Sequence, residues 1–207
     1  MEGLIGRKIG MTQIYDQGRR IAVTVIEAGP CPVVQVKTPD TDGYCAAQLG
    51  FEEQKPSRLS KAQVKHFEKA GVVPCKTTKE FALDEGEQVK AGDAVTVGIF
   101  DGVKYVDVTG ITKGRGFAGV IRRYRIGGGP HTHGGHSKHR IGSIGARDLP
   151  GWVEKGKRMP GHMGTVSRKG RNLTVVQIRG DENLLLVQGS IPGPKGAVVI
   201  ITKALKK

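Results

Sequence analysis

With 207 residues the chain is long enough for one or two domains and at least one substantial core, and with aromatics at 5% that core must rest on Val, Ile and Leu. A net charge of +14 and a pI near 9.9 point to a nucleic acid or an anionic membrane surface as partner. The longest uninterrupted apolar run, Ala197 to Ile201, is far too short for a membrane span, and Met1 to Met11 lacks the apolar core of a secretory signal, so a soluble cytosolic chain is expected. Cys31, Cys45 and Cys75 are widely separated and form no C-x-x-C, which disfavours a disulfide framework or a zinc ribbon; they read as reduced thiols in buried positions.

In chain order the elements are mostly strands. Ile21 to Ala28 and Pro32 to Lys37 are short, rich in β-branched residues and roughly alternating, with the turn signal Gly29-Pro30 between them. Tyr44 to Phe51 follows Asp42-Gly43, and together these three suggest an antiparallel meander. Ser60, with Gln63 in capping-box spacing and Gly71 as a stop, predicts a helix over Lys61 to Ala70. Its mixed charges Lys61, Lys65, Glu68 and Lys69 read as a solvated face rather than a binding site.

Strands are predicted again over Glu80 to Leu83, Ala94 to Ile99 and Tyr105 to Val108, the last two joined as a hairpin at Asp101-Gly102. After a long interruption come Leu173 to Arg179, Leu184 to Gln188 and Ala197 to Thr202. This spacing is that of a small β-barrel or sandwich, with the interruption as an excursion from it.

The interruption, Lys113 to Arg171, holds 14 Lys and Arg against two acids, Asp148 and Glu154, a net +12 in 59 residues. Outside it the chain is nearly balanced, at 19 basic against 17 acidic residues. The stretch carries 15 glycines and five of the six histidines, and its apolar residues are single or paired. Such a composition buries too little apolar surface to offset its own ordering entropy, so a polyanion is expected to order it. Glycines interrupt any helical face, which disfavours a membrane.

Three enzymatic or metal-binding patterns compete with that reading. Gly114 to Gly119 spells G-x-G-x-x-G, but Val108 ends the preceding predicted strand too early and the next acid is Asp148, so a dinucleotide turn is not expected. His131, His133, His136 and His139 have neither a nearby thiolate or carboxylate nor finger spacing, which leaves base stacking, phosphate contact or packing ahead of zinc. Ser143 stands in I-G-S-I-G, which is not a nucleophile elbow.

The candidate contacts to folded RNA are therefore the cations Lys113, Arg115, Arg122, Arg123, Arg125, Lys138, Arg140, Arg147, Lys155, Lys157, Arg158, Arg168, Lys169 and Arg171. His131, His133, His136, His139, His162 and Trp152 join them as stacking or donor groups, with Tyr124 as a further stacking face. No recognition helix or zinc module is present to enter a DNA major groove.

Gly3 to Ile14 (GLIGRKIGMTQI), Lys113 to Gly119 (KGRGFAG), Gly142 to Gly145 (GSIG), Lys155 to Met159 (KGKRM) and Gly189 to Gly193 (GSIPG) occur in the order in which bacterial ribosomal protein L3 (uL3) chains carry such motifs. Over nearly its whole length the sequence resembles that family. The resemblance implies a mainly β fold: a translation-protein-type barrel over 1–112 and 172–207, a small helical insertion at about 52–77, and a long irregular basic extension over 113–171. It also implies a non-catalytic, cofactor-free structural protein of the large ribosomal subunit, bound early in assembly to 23S rRNA beside other subunit proteins.

The tip of the extension, near Ala146 to Trp152, would approach the peptidyl transferase centre, in the cytoplasm and without a small-molecule substrate. This sequence departs from the pattern at Asp148, where some members carry a methylated glutamine, at Ile141, where a proline is common, and over Thr165 to Arg171, where a hydrophobic strand is usual.

Overall fold

The computed structural model describes residues 1–16, 18–84, 87 and 89–205. The chain divides into two compact units, one of 1–112 with 167–207 and one of 113–166. The first is a β unit. Its strands in chain order are β1 (Gly3–Asp16), β2 (Arg19–Ala28), β3 (Cys31–Lys37), β4 (Ala46–Glu53), β5 (Cys75–Ala82), β6 (Ala94–Val95) and β7 (Tyr105–Ile111). Among the described residues two α-helices interrupt them, α1 (Pro39–Asp42) and α2 (Lys61–Ala70).

The second unit contains β8 (Phe117–Ala118), α3 (Val120–Tyr124) and β9 (Gly161–His162), after which the chain returns to the β unit in β10 (Ser167–Arg179), β11 (Leu184–Gln188) and β12 (Val198–Lys203). Among the described residues no helix is long and apolar enough to cross a membrane.

Six strands close an antiparallel barrel in the order β1-β12-β7-β10-β11-β2 among the described residues, and β5-β4-β3-β6 form a second sheet. Alternation drives closure: along β12, Val199 and Ile201 are buried while their neighbours are only partly so. One apolar cluster joins Leu4, Ile5, Ile26, Val106, Val108, Leu185 and Ile201 of the barrel to Leu49, Phe51 and Phe100. Strand β1, the longest, was not individually legible because Gly3, Gly6 and Gly10 break its alternation. Two of those glycines are close-approach positions: a Cβ on Gly6 would lie 2.6 Å from the Glu27 carbonyl oxygen, and one on Gly3 would strike that of Ile201.

Four local expectations are corrected. The expected meander splits, because β2 lies in the barrel while β3 pairs with β4 in the second sheet; the chain changes sheets at Gly29, whose φ is +84°. The strand expected over Ala94 to Ile99 is reduced to β6, after which Val97 to Phe100 form a 3-10 turn that buries Val97 and Phe100 three residues apart. Consequently β6 and β7 belong to different sheets and make no hairpin at Asp101-Gly102. Cys31 and Cys75 are buried as expected, burial pushing the Cys31 thiol up to about 12, but Cys45 is exposed.

Helix α2 forms as its caps predict. The Ser60 side chain accepts from the Gln63 backbone N–H, the Ser60 N–H donates to Gln63 Oε1 at 3.1 Å, and Gly71 closes the helix in the left-handed region. Phe67 is its buried residue, packed with Val34 of β3 and with Cys75.

Candidate nucleic-acid interface

The 113–166 unit begins and ends as a two-stranded ribbon. Arg115 N–H donates to the Met163 carbonyl at 2.8 Å and Met163 N–H to that of Gly116 at 2.9 Å, and β8 then pairs with β9 through Phe117↔His162 and Ala118↔Gly161. At the join with the β unit the register Ile111↔Ser167 of β7 and β10 holds the outgoing and returning chain side by side. Beyond the ribbon, Gly119 leads into α3, whose last turn carries Arg122 and Arg123 and ends with Arg125 at a φ of +57°. Thus Gly114 to Gly119, expected to lie well past the end of a strand, instead begins after two residues beyond β7, Thr112 and Lys113, yet its second half is the paired strand β8 within an antiparallel setting. That is not the parallel β-turn-helix a dinucleotide requires.

Arg123 is fixed internally. Its Nη1 donates to the Met159 carbonyl at 2.8 Å, and its guanidinium rests over Gly161, where an added Cβ would come within 2.7 Å of Nη1. The Tyr124 ring is flanked by Arg123 at 4.9 Å and Arg158 at 5.8 Å from its centroid, so guanidinium groups already occupy this aromatic. The chain from Gly127 to Arg140 folds back on itself: Gly129 N–H donates to the Ser137 carbonyl at 3.2 Å, and Gly128 lies so close to the Lys138 carbonyl that no side chain fits. The His131 and His139 rings meet edge to face at 6.3 Å. Among the described residues no group of three or more His, Cys, Asp or Glu is placed to hold a metal ion.

Around this framework Lys113, Arg115, Arg122, Arg125, Lys138, Arg140, Arg147, Lys155, Lys157 and Arg158 are exposed, as are all five histidines and Trp152. The unit holds 11 Lys and Arg against Asp148 and Glu154, and its ion pairing among the described residues is confined to Arg147 with Asp148 at 3.6 Å. Those two side chains are 95% and 87% exposed, and a pair so solvated holds little. The result is a surface of fixed positive charge whose donors face outward. It also presents Phe117, 81% exposed, and Leu149, 87% exposed. Phe117 was not among the sequence candidates, although a lone aromatic between Arg115 and glycines, without an apolar partner at strand or helix spacing, is the signal that marks it.

The match of the family described as Ribosomal protein L3 covers residues 52–184, about two thirds of the chain. Large ribosomal subunit protein uL3 of Brachyspira pilosicoli is 48% identical over 208 aligned residues, which cover 100% of this chain and 95% of its own. The uL3 of Koribacter versatilis is 49% identical over 217, covering 100% and 88%, and that of Corynebacterium diphtheriae 45% over 208, covering 100% and 95%. The chain belongs to the ribosomal protein L3 family.

In this L3 chain Arg168, Lys169 and Arg171 stand apart from the other candidates, on β10 of the β unit. Here β10 is bulged between Gly170 and Leu173. Asn172, at a φ of +52°, donates its N–H at 2.8 Å to the carboxylate of Asp107, which is buried on β7. Lys169 Nζ completes the arrangement at 3.0 Å from the other carboxylate oxygen. Burial alone would raise the Asp107 carboxyl, but the Asn172 N–H and the Lys169 ammonium outweigh it and hold it below the usual carboxylate range. Lys169 thus has a partner inside the protein, a role that sequence did not anticipate.

Proposed function

We propose that this L3 family chain is a structural, non-catalytic protein of the large ribosomal subunit in the cytoplasm, seated beside other subunit proteins. Its 113–166 unit is an extension that binds 23S rRNA directly, early in assembly, and reaches toward the peptidyl transferase centre. The observation that carries the reading is the concentration of exposed, unneutralised cations in that unit, on a backbone opened by glycines.

In mechanism the arginines offer planar forks to phosphate pairs, the lysines supply point charges, and Trp152, Phe117 and the histidines offer faces to unstacked bases. Arg123, held on the Met159 carbonyl, positions the ribbon and leaves its outer edge for phosphate. The relatives, each named a large ribosomal subunit protein, support the setting.

Binding to purified 23S rRNA across a salt series tests the reading. With about eight phosphates neutralised, log affinity falls against log salt with a slope of roughly −6 to −7. A slope near zero would remove electrostatic RNA contact as the function of this unit.

A further inference from the structure

Outside the basic unit, residues 54–79 carry seven Lys and Arg against one acid, Glu68. Lys76 is held by Glu52 at 3.0 Å, while Lys55, Arg58, Lys61, Lys65, Lys69 and Lys79 are exposed and make no ion pair among the described residues. Three of them are ordered by α2. At 100° per residue Lys61, Lys65 and Lys69 fall within an 80° sector whose centre lies opposite Phe67, the residue that seats the helix on β3. They therefore form one outward row, with successive lysines about 6 Å apart along the axis.

Like charges at i and i+4 destabilise a helix, and Glu68, three residues from Lys65, forms no ion pair with it. The helix is instead kept by its capping box, its left-handed Gly71 and Phe67, which hold the lysine row in place against its own repulsion.

We infer that the exposed row Lys61, Lys65 and Lys69 of α2 is a second RNA-contacting surface, lying along the phosphates of one RNA strand and separate from the 113–166 unit. The chemistry favours RNA over an acidic protein. The row consists of compact ammonium charges at a regular interval, and the exposed positions between them, Ala62, Gln63 and Glu68, offer no bulky apolar side chain to anchor a protein interface. Two contact surfaces on one chain make the second binding event intramolecular, so a weak row gains from a strong extension. The inference rests on the proposed rRNA reading.

The test uses the full chain and transcribed 23S rRNA, with Kd measured from 0.05 to 0.5 M KCl. Replacing Lys61→Gln, Lys65→Gln and Lys69→Gln together should leave the melting temperature unchanged or slightly higher, because a repulsive row is removed. It should also lower affinity at 0.15 M salt roughly tenfold to a hundredfold and make the salt slope shallower by about 2 to 3. The companion with Lys61→Arg, Lys65→Arg and Lys69→Arg should retain both slope and affinity. A loss shared by the arginine companion would assign the effect to the helix fold and overturn the inference.

Unchanged RNA binding in the glutamine variant would also overturn it. If Arg122→Gln with Arg125→Gln still weakened binding in that case, the proposed function of the 113–166 unit would stand by itself. A glutamine variant that binds RNA normally but fails to enter subunits would place an acidic protein on the row and equally overturn the RNA assignment.

Discussion

In the β unit a large cluster of buried side chains includes Met1, Leu4, Ile26, Phe100, Leu185 and Ile201, and a smaller one joins Val34, Phe67 and Cys75, whereas the buried apolar side chains of residues 113–166 are, among those described, Ala118 and Val120. The charges are distributed the other way. Asp107 of the β unit meets Lys169 and the Asn172 N–H, and Arg7 meets Glu27 at 3.1 Å and Glu52 at 3.4 Å, while most cations of the 113–166 unit meet no acid. The β unit draws its stability from burying its own apolar surface. The basic unit relies on backbone pairing, glycine close approach and the Arg123 anchor, and on the proposed reading it draws the remainder from RNA phosphate.

That contrast is tested most strongly in the core. Ile26→Ala in the barrel should cost roughly 2–5 kcal/mol in urea unfolding, while the RNA affinity of the still-folded fraction stays unchanged. Equal losses of stability and affinity would mean that the two units are not energetically distinct. The converse variant, Arg122→Gln with Arg125→Gln and Arg140→Gln, should leave unfolding within about 0.5 kcal/mol of the parent and weaken 23S rRNA binding on the order of a hundredfold at 0.15 M salt. An unfolding midpoint that fell with no change in binding would reverse the assignment.

At the barrel end of the segment, Asp107→Asn should destabilise by about 1–3 kcal/mol, since the Lys169 ammonium loses its counter-charge and the bulge loses a charged acceptor. A carboxyl held low in the folded state stabilises above its unfolded pKa of about 3.9, and that contribution disappears as pH falls through the folded value. The difference between parent and variant should therefore be constant from about pH 5.5 to 8 and shrink below about pH 4. A difference that grew on acidification would refute the role given to Asp107. The smallest expected effect is Ser60→Ala, about 1 kcal/mol from the loss of the α2 cap, read by the urea midpoint.

How far the sequence carries depends on whether the information is local. Helix α2 was readable to its boundaries because Ser60, Gln63, Phe67 and Gly71 each act within a few residues. The basic surface was readable as well, because net charge and exposure follow from composition, and its candidates are exposed apart from half-buried Arg123 and Tyr124. Strand β1 was not, because Gly6 and Gly3 are explained by the carbonyls of Glu27 and Ile201, distant in the chain. Neither was the 3-10 turn at Val97 to Phe100, whose residues also fit an alternating strand.

By itself, then, the sequence determined a mainly β chain with a capped helix, a segregated positive segment and a likeness to the L3 family. Each of these is a property of composition, short-range spacing or ordered motifs. Only the tertiary structure decided that β2 and β3 part into different sheets, that β10 begins at Ser167, and that Lys169 meets Asp107. It also decided that Tyr124 is flanked by Arg123 and Arg158. The reason is physical: pairing register, bulges and burial direction depend on which distant strand supplies the partner, and a linear pattern does not encode that partner.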